Sequence, residues 1–240
     1  MTTAILFAAG KGSRLAPITD TMPKPLVPIQ GVSILERTME HIYPLVDSYT
    51  IVIGYLGHMI RESIGSEYRG KPVHFQEQAN PKGGTLDALR TGLRDLRESD
   101  TNILVMNSDD IHGPELFRIL AGHIGQTPSV PAIGAHQYPD TARLSQFGII
   151  RETEGVFQEI VEKPTEYVSN LVNIGVYYIP HQFSTLVSLT RDTTRETEEY
   201  ITDFINLVST QTNIAVLASS GMWHPVSYPE DIEKVNKILA

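Results

Sequence analysis

The chain of 240 residues contains no cysteine. Disulfides, zinc thiolates and cysteine nucleophiles are thereby excluded. Its histidines fall in no HxH or HExxH spacing, so no zinc site is indicated. No GxSxG marks a hydrolase serine. No run of about 18 apolar residues exists, as a membrane-spanning helix needs. Met1-Thr2-Thr3 lacks basic residues and the apolar stretch behind it is short, so no signal peptide is expected. Positive charge is scarce too: 19 Lys and Arg stand against 28 Asp and Glu, a net charge of −9. That argues against general nucleic-acid binding, which favours basic surfaces, yet leaves room for a local basic pocket. No linker, repeat or low-complexity tract interrupts the chain, and no hexapeptide-repeat domain is seen behind it. The expectation is a soluble, cytoplasmic, single-domain protein with no membrane or nucleic-acid partner.

What is present begins at the end of a short apolar run, Ala4-Ile5-Leu6-Phe7. There the chain reads Ala8-Ala9-Gly10-Lys11-Gly12-Ser13-Arg14-Leu15, and Pro23-Lys24-Pro25-Leu26 follows. A strand feeding a glycine turn lets the backbone approach an anion, because no Cβ stands in the way. Consecutive N–H groups in such a turn form a concave anion site. Arg14 adds a planar fork suited to phosphate oxygens and Lys24 a point charge. Taken alone, the loop reads equally well as a strand-to-helix turn with two solvated cations. It is not a dinucleotide fingerprint, since Leu15 stands where the third glycine belongs, and no GxxxxGK[ST] occurs.

Strand-like runs at Tyr49 to Ile53, Val73 to Gln76 and Ile103 to Met106 alternate with amphipathic stretches at Ile34 to Tyr43 and Thr85 to Leu96. Such alternation predicts βαβ units and a mostly parallel sheet, with ligands beyond the carboxyl ends of the strands. The second half is richer in strands: Ser129 to His136, Gly148 to Arg151, Val156 to Glu162, Leu171 to Ile179 and Ile214 to Ala218. Helices are expected at Gln182 to Leu189, Thr202 to Ser209 and Pro229 to Leu239. Asp109 and Asp110 follow the buried run at Ile103. Adjacent carboxylates there suit Mg²⁺, although from the residues alone a turn with a capping Asp is the simpler reading. Gly83-Gly84 before a helix reads as a turn with Thr85 as N-cap, and Gln78 could read a pyrimidine edge, since an amide both donates and accepts.

Residues 5–36, ILFAAGKGSRLAPITDTMPKPLVPIQGVSILE, resemble the signature of the sugar-1-phosphate nucleotidyltransferases, LAAGxGxRLxPxTxxxPKPLxxxxGxPxLE. The fixed positions match nearly throughout, with Phe7 for Ala or Leu and Ser33 for Pro. The resemblance extends from residue 3 to about residue 235. It implies a Rossmann-like, GT-A-like α/β fold with a mixed, mostly parallel sheet flanked by helices. A nucleotide-binding half of about 1–125 and a sugar-phosphate-binding half of about 126–240 would form one domain. The implied reaction transfers a nucleotidyl group from an NTP, UTP or dTTP, to a sugar 1-phosphate and releases pyrophosphate. Arg14 and the loop Ala8, Ala9, Gly10, Lys11, Gly12 and Ser13 would hold the β- and γ-phosphates, and Lys24 would neutralise the α-phosphate. Gly84 and Thr85, in a segment similar to GTAxA, would lie against the base with Gln78.

Other segments extend the resemblance. Glu162-Lys163-Pro164 is similar to EKP, with Glu162 on sugar hydroxyls and Lys163 on the sugar phosphate. Asn173-Ile174-Gly175-Val176-Tyr177 is similar to NAGIY, with Asn173 on the sugar, and Phe147-Gly148 to a YG pair beside it. Glu198-Glu199-Tyr200-Ile201-Thr202-Asp203 is similar to E-Y-x-T-D, read as structural with Thr202 as N-cap. A strand ending in GD would carry the Mg²⁺ ligand, here Ser108-Asp109. The second metal ligand of the family is an Asp in GxWxDVGTPED, where this chain has Pro225. Proline offers no ligand, so Asp110 or His224 is the candidate replacement. Three alternatives follow. Cytidylyltransferases acting on phosphocholine or a similar phospho-alcohol share the opening signature. A chain lacking the second Asp could sense nucleotide sugars without turnover. A glycosyltransferase could use the Asp pair, but has no need of the GxGxR…PKPL string. Relatives are often dimers or tetramers, so homo-oligomerisation is an open expectation.

Overall fold

A computed structural model describes residues 1–80, 82–96, 101–190 and 199–240. Strand β1 (Thr2–Ala8) is buried on both faces: Ala4 and Leu6 enter one core and Ile5 the other. A central parallel strand covered on both sides reads as a continuous apolar run, as this one does. After a loop of short 3₁₀ turns, the pair β2 (Pro28–Ile29) and β3 (Val32–Ser33) leads into α1 (Ile34–Ile42). Ser33 Oγ accepts from the Glu36 amide at 3.1 Å, and the Glu36 carboxylate accepts from the Ser33 amide at 3.3 Å. This capping box starts the helix, and Pro44, which has no N–H to donate, ends it. Next come β4 (Ser48–Ile53), α2 (Gly57–Ile64), β5 (Glu67–Tyr68), β6 (Lys71–Glu77) and α3 (Gly84–Leu93). They are followed by β7 (Asn102–Asn107), the short β8 (Asp110–His112), α4 (Pro114–Gln126) and β9 (Ala132–Gln137). The remaining strands are β10 (Gly148–Thr153), β11 (Val156–Glu162), β12 (Leu171–Ile179), β13 (Ala215–Ser219) and β14 (Trp223–Pro225). Among them lie α5 (His181–Ser184), α6 (Ile201–Ser209) and α7 (Pro229–Ile238). Helices α2 and α4 have no counterpart in the sequence reading. Each nevertheless buries apolar residues at helical spacing, Ile60 and Ile64 in α2 and Leu116 and Leu120 in α4.

The main sheet runs in the order β10-β11-β13-β9-β12-β7-β1-β4-β6-β5. Parallel pairing holds across β6-β4-β1-β7 and between β9 and β13, whereas the other neighbours are antiparallel. The sheet is therefore mixed, and its parallel ladder belongs chiefly to the first half. For one antiparallel pair, β10 and β11, the reason is local. They join through Glu154-Gly155, both at positive φ, and a two-residue hairpin can only pair strands antiparallel. Helices α1, α2 and α4 cover one face, through Leu35, Met39, Ile60 and Leu116 among others. Helices α3 and α6 cover the other, through Leu86, Leu89, Phe204 and Val208. Each such side chain, fully buried, contributes about 1.5–3 kcal/mol. Gly92 lets α3 approach β1, since a Cβ there would come within 2.5 Å of the Ile5 side chain.

A third, smaller core gathers the loops. Leu15, Val27, Ile29 and Ile34 pack with Ile111 of β8, Val226 after β14 and Val235 of α7. This cluster draws the loop behind β1, the end of β7 and the segment before α7 to one place. Asp231 in the first turn of α7 accepts from the amides of Ser227 at 2.9 Å and Tyr228 at 2.8 Å. Burial opposes its ionisation, but those two amides outweigh that and hold its carboxyl below the ordinary range. Among the described residues no helix is long and apolar enough to cross a membrane.

Candidate functional site

The loop behind β1 opens a cavity of about 510 Å³ at the carboxyl end of the parallel ladder. Ala8, Ala9, Gly10, Gly12, Ser13 and Arg14 line it on one side. Gly12 has φ +65°, and a Cβ on it would stand 2.9 Å from Lys24 Cβ. Only glycine both adopts that conformation readily and leaves Lys24 its place. Thr19 Oγ1 donates to the Gly12 carbonyl at 2.9 Å and fixes the turn. Lys24, 8% exposed, reaches the cavity wall and donates to Asp109 Oδ2 at 2.9 Å. Asp109 is the more accessible partner, with 44% of its side chain exposed. Lys11 is not among the lining residues; its ammonium lies 5.4 Å from the Tyr55 ring centre.

Gln78, Gly84 and Thr85 line the same cavity. The Gln78 side-chain nitrogen donates to the Gly84 carbonyl at 3.1 Å and to Asp87 Oδ2 at 2.9 Å. Its donors therefore hold the turn, and what it can still offer a base is the amide oxygen. Thr85 is not an N-cap. Gly83 holds that position without a side-chain bond, and Thr85 Oγ1 accepts from the Ile201 amide at 2.9 Å. Thr202 is likewise inside α6, with Tyr200 as the N-cap residue. Glu198 lies outside the described residues.

Asp110 parts company with Asp109. Its Oδ2 accepts from Trp223 Nε1 at 3.0 Å, and it lines a smaller cavity of about 140 Å³ with His41 and His112. Burial and then the neighbouring Asp109 charge push its carboxyl well above the usual carboxylate range. Across the β8–β14 pair, Asp110 faces Pro225, so the position of the expected second ligand holds a pyrrolidine ring. His224 Nδ1 pairs with the Pro225 carbonyl at 3.0 Å and does not line the large cavity. Among the described residues no group of three His, Asp or Glu could hold a metal ion. Asp109 is thus the protein's carboxylate in the cavity. A hard cation there fits only as Mg²⁺ commonly binds, through one carboxylate completed by phosphate oxygens and water.

Gly148, Glu162, Lys163 and Asn173 do not line the large cavity. Gly148 and Lys163 adjoin Phe147, which belongs to an aromatic group. Trp223 stands 5.5 Å from Phe147 and 6.0 Å from Tyr138 between ring centres. Gly148 faces Glu162 across β10–β11, and a Cβ there would come within 3.0 Å of the carboxylate. Lys163 donates its amide to the Phe147 carbonyl at 3.0 Å. Asn173 is engaged at both ends of its amide, donating to Tyr177 OH at 2.8 Å and accepting from the Gly175 amide at 3.1 Å. Gly175, at φ +69°, sits where the β12–β9 register shifts. A Cβ there would fall 2.2 Å from Asn107 Nδ2. Asn107 and Ser227 line the large cavity and were not singled out from sequence. Asn107 had a signal, the end of a parallel strand, whereas Ser227 arrives only through tertiary packing.

The chain is similar to several known proteins. A bifunctional protein GlmU from Methanocaldococcus jannaschii is 29% identical over 239 residues, covering 98% of this chain and 54% of its own. The UTP–glucose-1-phosphate uridylyltransferase AglF of Haloferax volcanii is 26% identical over 239 residues, covering 98% and 96%. A CMP-5'-(3-aminopropyl)phosphonate synthase from Streptomyces rubellomurinus is 34% identical over 184 residues, covering 76% and 27%. The chain spans about half the length of the first curated relatives it matches. A solved UDP-glucose pyrophosphorylase complexed with UDP-glucose shares the fold, with TM-score 0.85, 21% identity, and coverage of 100% of this chain and 98% of that one. Residues 3–240 match the family model for nucleotidyl transferases, and the chain belongs to that family.

Proposed function

We propose that the chain transfers a nucleotidyl group from an NTP, UTP or dTTP, to a sugar 1-phosphate, giving an NDP-sugar and pyrophosphate. The observation that carries this reading is the Lys24–Asp109 pair on the wall of a cavity whose other side is the glycine loop and Arg14. The loop amides and Arg14 grip the β- and γ-phosphates. Lys24 neutralises the α-phosphate and aligns the incoming phosphate with it. A phosphate monoester has its second pKa at about 6, so the acceptor is largely dianionic near neutrality and needs no general base. Asp109 is the residue that would hold Mg²⁺, which supplies charge neutralisation between the phosphates when bound. Gly84, Thr85 and the Gln78 oxygen receive the base. Glu162, Lys163, Asn173 and Gly148, in the half from about residue 126, receive the sugar phosphate, while the half to about 125 receives the nucleotide. A cytoplasmic setting, with its abundant NTP, fits this reading.

A second reading has support of its own. The relative with 34% identity is named for a CMP-linked aminoalkyl phosphonate, and both ends of the Asn173 amide are already engaged within the protein. The first of these favours cytidylyl transfer to phosphocholine, a similar phospho-alcohol or a phosphonate. Pyrophosphate release separates the two. The purified protein with Mg²⁺ is offered each of five NTPs, dTTP included, against sugar 1-phosphates, phosphocholine and an aminoalkyl phosphonate. Release with UTP or dTTP and a sugar 1-phosphate supports the first reading, and release with CTP and phosphocholine or the aminoalkyl phosphonate the second. Nucleotide binding with no release across the panel overturns both in favour of a sensor.

A further inference from the structure

We infer that Arg90 and Glu199 form a positioning latch for the nucleotide subsite, a reading that rests on an NTP as donor. Helix α3 begins at Gly84 with no side-chain cap, so its first-turn amides need other partners. They find them in the other half of the chain. The Leu86 amide donates to the Glu199 carbonyl at 3.1 Å, and the Glu199 amide donates back to the Gly83 carbonyl at 3.2 Å. The Ile201 amide donates to Thr85 Oγ1 at 2.9 Å. One turn along α3, the Arg90 guanidinium donates to both oxygens of the Glu199 carboxylate and, at 2.5 Å, to the Thr190 carbonyl. The pair is two-thirds shielded, with side chains 30% and 28% exposed.

From the opposite side, Gln78 holds the Gly84 carbonyl and Asp87. The turn that carries Gly84 and Thr85 is therefore clamped between the end of β6 and the start of α6. Neither Arg90 nor Glu199 lines the cavity. They act on a bound nucleotide only through the turn, so they are positioning residues. A bidentate guanidinium–carboxylate pair fixes orientation as well as distance, which suits a surface that must lie flat against a base. The latch joins residues 109 apart in sequence. Fixing that turn before the nucleotide arrives spares the ordering cost that binding otherwise carries.

The test uses the whole chain, wild type beside Glu199→Gln, Arg90→Met, Arg90→Lys and the charge swap Arg90→Glu with Glu199→Arg. Rates are measured with the Mg²⁺ complexes of UTP, dTTP and CTP, with nucleotide titration and thermal melting alongside. A latch predicts that Glu199→Gln and Arg90→Met raise the nucleotide KM and Kd about tenfold, with kcat and acceptor KM within about twofold of wild type. Arg90→Lys and the swap recover part of that loss. Unchanged nucleotide affinity in a folded Glu199→Gln variant overturns the latch and leaves the donor reading intact. So does a parallel rise of both KM values with a falling melting temperature, the mark of general loosening. A wild-type chain that binds none of the three nucleotides overturns the donor reading and the latch with it.

Discussion

Lys24 is where the residue-scale chemistry concentrates. Its ammonium is held by Asp109 at 2.9 Å and its stem packs beside Gly12. A cation fixed before substrate arrives needs no reorganisation when charge builds on the transferring phosphate. Lys24→Ala is therefore expected to lower kcat by about 10²–10³-fold. The melting temperature should move far less, because Asp109 keeps much of its contact with water. Pyrophosphate-release kinetics and a thermal melt on the same sample check this, and near-normal turnover removes Lys24 from the mechanism. Gly175 gives a second test of one atom. Gly175→Ala puts a methyl group where Asn107 Nδ2 now lies, on backbone at φ +69°. The expected result is a loss of about 1–3 kcal/mol in urea unfolding together with weaker substrate binding, since Asn107 lines the cavity.

At the scale of elements, β8 shows what a short strand costs and supplies. It turns Asp110 toward Trp223 and places His112 fully inside, with neither ring nitrogen hydrogen-bonded. Burial lowers His112 from its usual 6.5 to about 4; the Asp109 charge opposes this, and His41 and His136 add to it. The folded state thus prefers neutral His112, and its contribution to stability is complete above pH 6.5. As pH falls from 6.5 toward 4, the unfolded chain takes up the proton first, and about 3 kcal/mol is lost. Asp110, raised by burial, gains stability over the same window, so the test is the difference: the His112→Leu urea midpoint is expected to climb relative to wild type as pH falls through that window, with a constant gap above pH 7. A variant-minus-wild-type gap that stays constant from pH 7 to pH 4 removes His112 from the pH dependence. The β10–β11 hairpin makes the complementary point. Its Glu154-Gly155 turn is brief in the sequence, yet it fixes β10 and β11 as an antiparallel pair.

For the whole molecule, the cavity lies where the loop behind β1, the end of β7 and the segment before α7 converge on one small core. A ligand held by both ends of the chain stabilises the fold that brings them together. A nucleotide present at about 100 times its Kd is expected to add about 2.7 kcal/mol. For a chain of this size that raises the melting temperature by about 5–10 °C. The shift should appear with the correct nucleotide and Mg²⁺ and shrink in Lys24→Ala. Equal shifts with every nucleotide, or none, disagree with a selective site. The sequence of elements in the first half was legible because its central strands are continuous apolar runs and its helices carry caps or amphipathic faces. Helices α2 and α4 were not, although each buries a helical stripe, Ile60 and Ile64 in one and Leu116 and Leu120 in the other.

The sequence by itself determined the family, because the whole string from Ile5 to Glu36, with its glycines, Arg14 and Lys24 at fixed spacing, matches the family signature, whereas the glycine loop alone reads equally well as a plain turn. It also determined that Pro225 cannot ligate, since that follows from covalent structure alone. Only the tertiary structure decided that Asp110 serves Trp223, that Gln78 spends its donors on the turn before α3, and that Thr85 receives the Ile201 amide. Each of these depends on which way a side chain points and on a partner far along the chain. The hydrogen bond that claims a polar atom is set by packing, and packing is not written in local sequence.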